Sequence, residues 1–169
     1  EYSINILDYL LNYGFKVIFR PHQEHYKRSK QTLDKIINKY KDKNNFILDQ
    51  NNNNLFALEN SNFLITDYSG IVHEFLFVYK KPFIIVSDLK KIHNKNFEKI
   101  DKDTFEDKVY KDFGYFIKSN ELSKLKDDIY NAKKKFEDNK INLNEFIKKN
   151  IYASEKASEK IYLDLTEKN

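Results

Sequence analysis

The chain has 169 residues, 40% of them hydrophobic, with 30 Lys and Arg against 26 Asp and Glu for a net charge of +4. That size suits one domain with a real core, and no run approaches the roughly 18–20 apolar residues of a membrane-spanning helix. Aromatic residues at 15% exclude a disordered polyelectrolyte, and the absence of cysteine excludes disulfides and thiol chemistry and fits a reduced compartment. Arginine occurs only at Arg20 and Arg28, and the lysines are spread along the chain, a pattern that argues against nucleic acid as a partner. There is no methionine and the first residues are Glu1-Tyr2-Ser3, which reads as a piece of a longer protein with no signal peptide at its start.

In chain order, Ile4, Leu7 and Leu11 recur at helical spacing, and Gly14 stands where a helix ends. Phe15–Phe19 is a short apolar run of strand type. Leu33, Ile36, Ile37 and Tyr40 form a second helical stripe, with Ser29 as a candidate N-cap. Asn45–Leu48 predicts another strand, and the Asn51–Asn54 run a polar turn. A short helix over Leu55–Glu59 precedes a strand at Asn62–Thr66, and Ile71–Tyr79 is helical before the strand Pro82–Val86. From Ser87 to about Asp112 the chain is polar and lysine-rich, and a loop or lid is expected. Gly114–Ile117 adds a short strand. Ser119 or Asn120 caps a helix carrying Leu122, Leu125, Ile129 and Phe136, and two further helices are expected around Glu145–Ile147 and over Ala153–Leu165. Strands alternating with helices predict βαβ units and an α/β, Rossmann-like parallel sheet in one domain over 1–169.

Ligands of such sheets bind beyond the carboxyl ends of the strands. Two clusters fall there. Arg20-Pro21-His22 follows the first strand, where an imidazole can act as general base or pair with a phosphate; a solvated loop histidine is the plainer alternative. Thr66-Asp67-Tyr68-Ser69-Gly70 leads into a helix whose first N–H groups and dipole favour an anion such as a diphosphate. The same residues also fit a simple N-cap by Asp67 or Ser69. Glu74, one turn on, can accept from ribose hydroxyls or stand free in solvent. His25 and His93 carry no positional argument, and His73 reads as a surface or supporting residue. The lysine runs Lys90-Lys91 and Lys133–Lys135 are solvated faces that can also hold a protein near an anionic surface. There is no metal-ligand cluster in the sequence.

Val17–His22, Phe63–Gly70 and Lys81–Ile85, in that order, resemble the CDP-glycerol glycerophosphotransferase family, the teichoic-acid polymerases and primases also found among capsule-building enzymes. The family pattern places Arg-Pro-His after one strand, a Ser/Thr-Asp-Tyr-Ser-Ser turn, an acidic residue about five positions on, and Lys/Arg-Pro before a strand. Here Gly70 replaces the second serine, and His73-Glu74 replaces the usual Phe-Asp. Gly114 and the closing Ala157–Ile161 also resemble the family's tail. The resemblance implies the C-terminal, donor-binding domain of a two-domain GT-B fold and no cofactor. A polymer or sugar hydroxyl would attack the β-phosphorus of CDP-glycerol and expel CMP. It implies His22 at the reacting phosphate, Arg20, Ser69, Gly70 and Asp67 around the diphosphate, and Glu74 at the ribose. The implied partners are a CDP-activated donor, a polymer or sugar acceptor and an N-terminal domain with a second histidine in a Trp-His-Gly-Thr type segment. This chain contains no tryptophan, so donor binding without turnover is expected of it alone. The implied location is cytoplasmic, at the inner face of the membrane. Two other readings stay open: a UDP-sugar-using GT-B glycosyltransferase or epimerase, and a non-catalytic module binding a phosphorylated polymer.

Overall fold

A computed structural model describes residues 2–89, 103–151 and 156–166. It begins with α1 (Tyr2–Asn12), whose Ile6, Leu7, Leu10 and Leu11 are buried. The helix ends where the glycine predicts: Gly14 has φ +81°, its N–H donates to the Leu11 carbonyl, and the Phe15 N–H donates to that of Leu10. This paired closure needs a left-handed residue, which glycine adopts at little cost. The chain then alternates: β1 (Val17–Phe19), α2 (Gln23–Arg28), α3 (Lys30–Tyr40), β2 (Phe46–Leu48), α4 (Leu55–Asn60), β3 (Leu64–Thr66), α5 (Ile71–Phe77), β4 (Phe83–Val86), α6 (Phe105–Phe113), β5 (Tyr115–Ile117), α7 (Leu125–Asp138), α8 (Lys140–Asn150) and α9 (Ala157–Thr166). The fold is α/β, with parallel strands flanked by helices in a Rossmann-like arrangement.

The strands pair in two parallel ladders, β1–β2 and β3–β4–β5. In the first, Ile18 lies opposite Ile47; in the second, Ile65 lies opposite Ile84 and Ile85 opposite Phe116. The ladders meet through side chains. Phe15 and Phe63, at the entries to β1 and β3, pack edge to face at 6.0 Å, and Val17 and Ile65 belong to one apolar cluster. The two ladders thus share an apolar cluster, with no backbone pairing between β1 and β3.

β4 is the centre. Its four residues are all buried, and successive side chains point to opposite faces as strand geometry requires. Ile84 and Val86 meet α1 and α7 through Ile6, Leu10, Leu125 and Ile129. Phe83 and Ile85 meet α5, α6 and α8 through Val72, Phe75, Val109 and Leu143. α3 closes the β1–β2 side with Ile36 and the fully buried Tyr40. The Tyr40 hydroxyl is satisfied by donating to the Ile4 carbonyl, 3.1 Å, and Asp8, 3.0 Å.

Two helices depart from the sequence expectation. α6 occupies 105–113, inside the stretch expected to be a loop or lid; Thr104 caps it by accepting from the Asp107 N–H, and Val109, Tyr110 and Phe113 bury its inner face. α2 is a six-residue helix with no buried residue, so no apolar period announces it. Ser119 does not cap the following helix. Its hydroxyl goes to Asp88, and a short 3-10 turn over Leu122–Lys124 leads into α7. Ser29 stands at the N-cap of α3 without a side-chain hydrogen bond. Lys90, Lys91 and His93, and residues 153–155 of the last expected helix, lie outside the described residues.

Candidate functional site

The exits of β1 and β3 are carboxyl ends of parallel strands, the side on which open α/β sheets take their ligands. Arg20-Pro21-His22 leaves β1 with Pro21 buried and His22 exposed. The His22 ring caps α2: its Nδ1 accepts from the Glu24 N–H at 3.2 Å. A nitrogen that accepts carries no proton, so in the neutral ring the proton sits on the outward Nε2. In this arrangement His22 is a donor to whatever lies in front of it. Removal of a proton by Nε2 would require the cap to break first.

Arg20 turns toward the neighbouring strand. Its Nη1 donates to Asp49 Oδ2 at 2.8 Å, and Asp49, directly after β2, is the one charged residue that is buried among the described residues. The other oxygen of Asp49 accepts from the Asn51 N–H at 3.1 Å and from Asn51 Nδ2 at 2.7 Å. The Asp49 N–H itself donates to the Phe19 carbonyl. The asparagine run continues the connection. Asn53 accepts from the Leu55 N–H as α4 starts, and Asn54 Nδ2 donates to Glu74 Oε2 at 2.8 Å. Glu74 thus keeps its place on the exposed side of α5, as expected, but is held by a side chain from the β2 exit.

The second cluster, 67–70, lies after β3. The residue preceding α5 is Gly70, with helical φ −59° and no side-chain cap, so neither Asp67 nor Ser69 caps this helix. Space above Gly70 is open, with no atom within 4 Å of where a Cβ would stand. Asp67 is exposed, and its nearest described polar contact is the Thr66 hydroxyl at 3.5 Å. The turn is held from behind instead. Tyr110 of α6 donates to the Ser69 carbonyl at 3.4 Å and packs edge-on against Tyr68 at 5.3 Å. His73 Nδ1 lies 3.2 Å from the Gly70 carbonyl, and its ring stacks on Phe105 at 5.9 Å with Phe77 and Tyr110 alongside. Burial, followed by the nearby Glu106 and Asp107, raises the Tyr110 hydroxyl above its ordinary pKa, so it remains a protonated donor at neutral pH.

Sequence reasoning placed Arg20, His22, Asp67, Ser69 and Gly70 at strand exits and Glu74 on the helix that follows, and these are their positions in the fold. It missed Asp49, Asn51 and Asn54, whose only signal was an acid at the end of a strand followed by amides. It also missed Tyr110, which supports the 67–70 turn together with His73, a residue the sequence reads as surface or supporting. Lys81-Pro82, the third motif, stands at the entry to β4, the opposite end from these exits. There Lys81 donates to the Leu58 and Glu59 carbonyls at 3.0 and 2.8 Å and closes the end of α4. Among the described residues no group of three acidic or histidine side chains has the geometry to hold a metal ion.

A family model described as CDP-glycerol:poly(glycerophosphate) glycerophosphotransferase matches residues 2–165. The chain belongs to this family. No curated protein and no solved structure matches it. The glycerophosphotransferase family is one of transferases, and its description pairs a nucleotide-activated donor with a polymer acceptor. In this member no described helix is long and apolar enough to cross a membrane.

Proposed function

We propose that this chain is the donor-binding part of a glycerophosphotransferase, taking a CDP-activated glycerol phosphate or related polyol phosphate in the crevice between the β1 and β3 exits. Within a GT-B enzyme it would serve the assembly of a teichoic acid or capsule polymer at the inner face of the membrane. The observation that carries this reading is the family match over residues 2–165, with Arg20–His22 and Thr66–Gly70 each at the carboxyl end of a parallel strand, β1 and β3.

The residues take distinct parts. The open, uncapped turn at Ser69-Gly70 receives the diphosphate through backbone N–H groups and the Ser69 hydroxyl, with Asp67 at the turn's outer edge. Arg20 retains N–H groups that Asp49 does not occupy and directs them to the same anion. Glu74, fixed by Asn54, accepts from the ribose hydroxyls. An acceptor hydroxyl oxygen bonds to the β-phosphorus while the bond from that phosphorus to the CMP oxygen breaks. CMP leaves as the phosphate, and His22 Nε2–H stabilises the charge that gathers there. The acceptor's proton passes to a base outside this chain, which is why donor binding without turnover is expected of it alone.

Calorimetric titration with CDP-glycerol, CMP, UDP and UDP-N-acetylglucosamine tests the reading. Cytidine-selective binding that weakens about tenfold or more in Ser69→Ala is the expected result. Binding of the uridine ligands instead would assign the crevice to a sugar donor. Absence of all nucleotide binding by folded protein would overturn the donor-site reading for this chain.

A further inference from the structure

Asp49 is a buried carboxylate at a strand exit, and neither family motif includes it. As a source of stability it is a poor choice, because a buried ion pair gains little over well-packed apolar residues. Its hydrogen bonds are directional, and they join the start of one cluster to the start of another: Arg20 after β1 on one oxygen, Asn51 after β2 on the other. An arginine side chain has many rotamers, and its guanidinium offers five N–H groups in a planar fork. With Nη1 donating to Asp49 at 2.8 Å, one arm of that fork is anchored. The Arg20 side chain keeps 25% exposure, so the ion pair does not seal it in.

We infer that Asp49 is a positioning residue, holding the Arg20 guanidinium in the orientation that meets the donor's diphosphate. The inference rests on the proposed donor site and adds a requirement to it. The benefit of Asp49 reaches the ligand only through Arg20, and only where there is a diphosphate to meet. Removing the carboxylate therefore weakens ligands in proportion to their phosphate charge, whereas general loosening of the fold weakens all ligands alike.

The experiment is to measure the affinities of CDP and CMP for the 169-residue chain and for Asp49→Asn, Arg20→Ala, the double variant and Arg20→Lys, with thermal melting as a check on folding. Asp49→Asn keeps the volume and leaves an oxygen for Asn51. The expected result is a fall of about tenfold in CDP affinity with a smaller change for CMP, and no further change in that ratio when Asp49→Asn is added to Arg20→Ala. Arg20→Lys, which keeps the charge but cannot span Asp49 and the ligand, lowers the ratio as well. It decides the matter if Asp49→Asn does not fold. An unchanged CDP-to-CMP ratio in the folded variants, or full additivity in the double variant, overturns the positioning role and leaves the donor site standing. Failure of the folded unsubstituted chain to bind CDP at all overturns both.

Discussion

Gly70 and Gly114 show how the same added methyl has opposite meanings at two places in one chain. A Cβ at Gly114 would stand 2.6 Å from the Tyr110 carbonyl oxygen and 2.7 Å from the Phe83 ring, both closer than real contacts allow. Phe83 is buried and Tyr110 carries the turn under the crevice, so neither can move freely. Gly114→Ala is expected to cost about 1–3 kcal/mol of stability by overpacking, read as a lowered urea midpoint with an unchanged slope. A Cβ at Gly70 meets open space, at a helical φ that any residue adopts. Gly70→Ser, which restores the serine of the family pattern, is therefore expected to leave the midpoint within about 0.5 kcal/mol and to tighten CDP binding in calorimetry. A large loss of stability from Gly70→Ser would show that the space is filled. The motif order in the sequence pointed to Gly70 because it interrupts a recognisable pattern. Nothing in the sequence distinguished Gly114 as a packing constraint, since its neighbours Tyr110 and Phe83 are set by tertiary contact.

At the scale of elements, five strand positions were legible because each is a short apolar run between turn residues, although every run is trimmed by a residue or more at its ends. α6 was legible in principle: Thr104 and Asp107 form an N-terminal pair, and Phe105, Val109 and Phe113 recur at helical spacing. The lysine-rich composition before it masked that period. The asparagine run, expected as a polar turn, is a bend whose hydrogen bonds to Asp49 and Glu74 depend on tertiary neighbours that the sequence does not name. The exits of β4 and β5 are joined in the same manner. Asp88 accepts from the Ser119 hydroxyl at 2.6 Å and from the Ser119 N–H at 2.9 Å, and these two bonds, in that order, hold its carboxyl below the ordinary value of 3.8. A depressed carboxylate contributes stability that is present above the unfolded pKa and is lost as pH falls through the folded one. Acid titration of Asp88→Asn is thus expected to show a shallower loss of stability below about pH 4 than the unsubstituted chain, with the two nearly parallel above it. Equal slopes below pH 4 would mean that the Asp88–Ser119 bonds do not form in solution.

For the molecule as a whole, burial is concentrated around β4 and thins toward the C-terminal end of the described residues. Val72, Phe75 and Leu76 of α5 are fully buried against β4, so the helix that follows the 67–70 turn is also one of the best anchored. Asp67, Gly70 and Glu74 can therefore be exposed while their backbone is held by the core behind them. Leu76→Ala is expected to cost about 2–5 kcal/mol. α9 is the opposite case. It has no buried residue, and Ile161, Tyr162 and Leu165 are 59%, 67% and 70% exposed. A helix with no buried residue adds little to folding, so the double variant Ile161→Lys, Leu165→Lys is expected to melt within about 2 °C of the parent chain. In hydrogen exchange the α9 amides are expected to be replaced well before those of α5, because local opening there exposes no buried residue. A drop of several degrees in the double variant, or protection of α9 equal to that of α5, would show that this helix packs against the rest of the chain in solution.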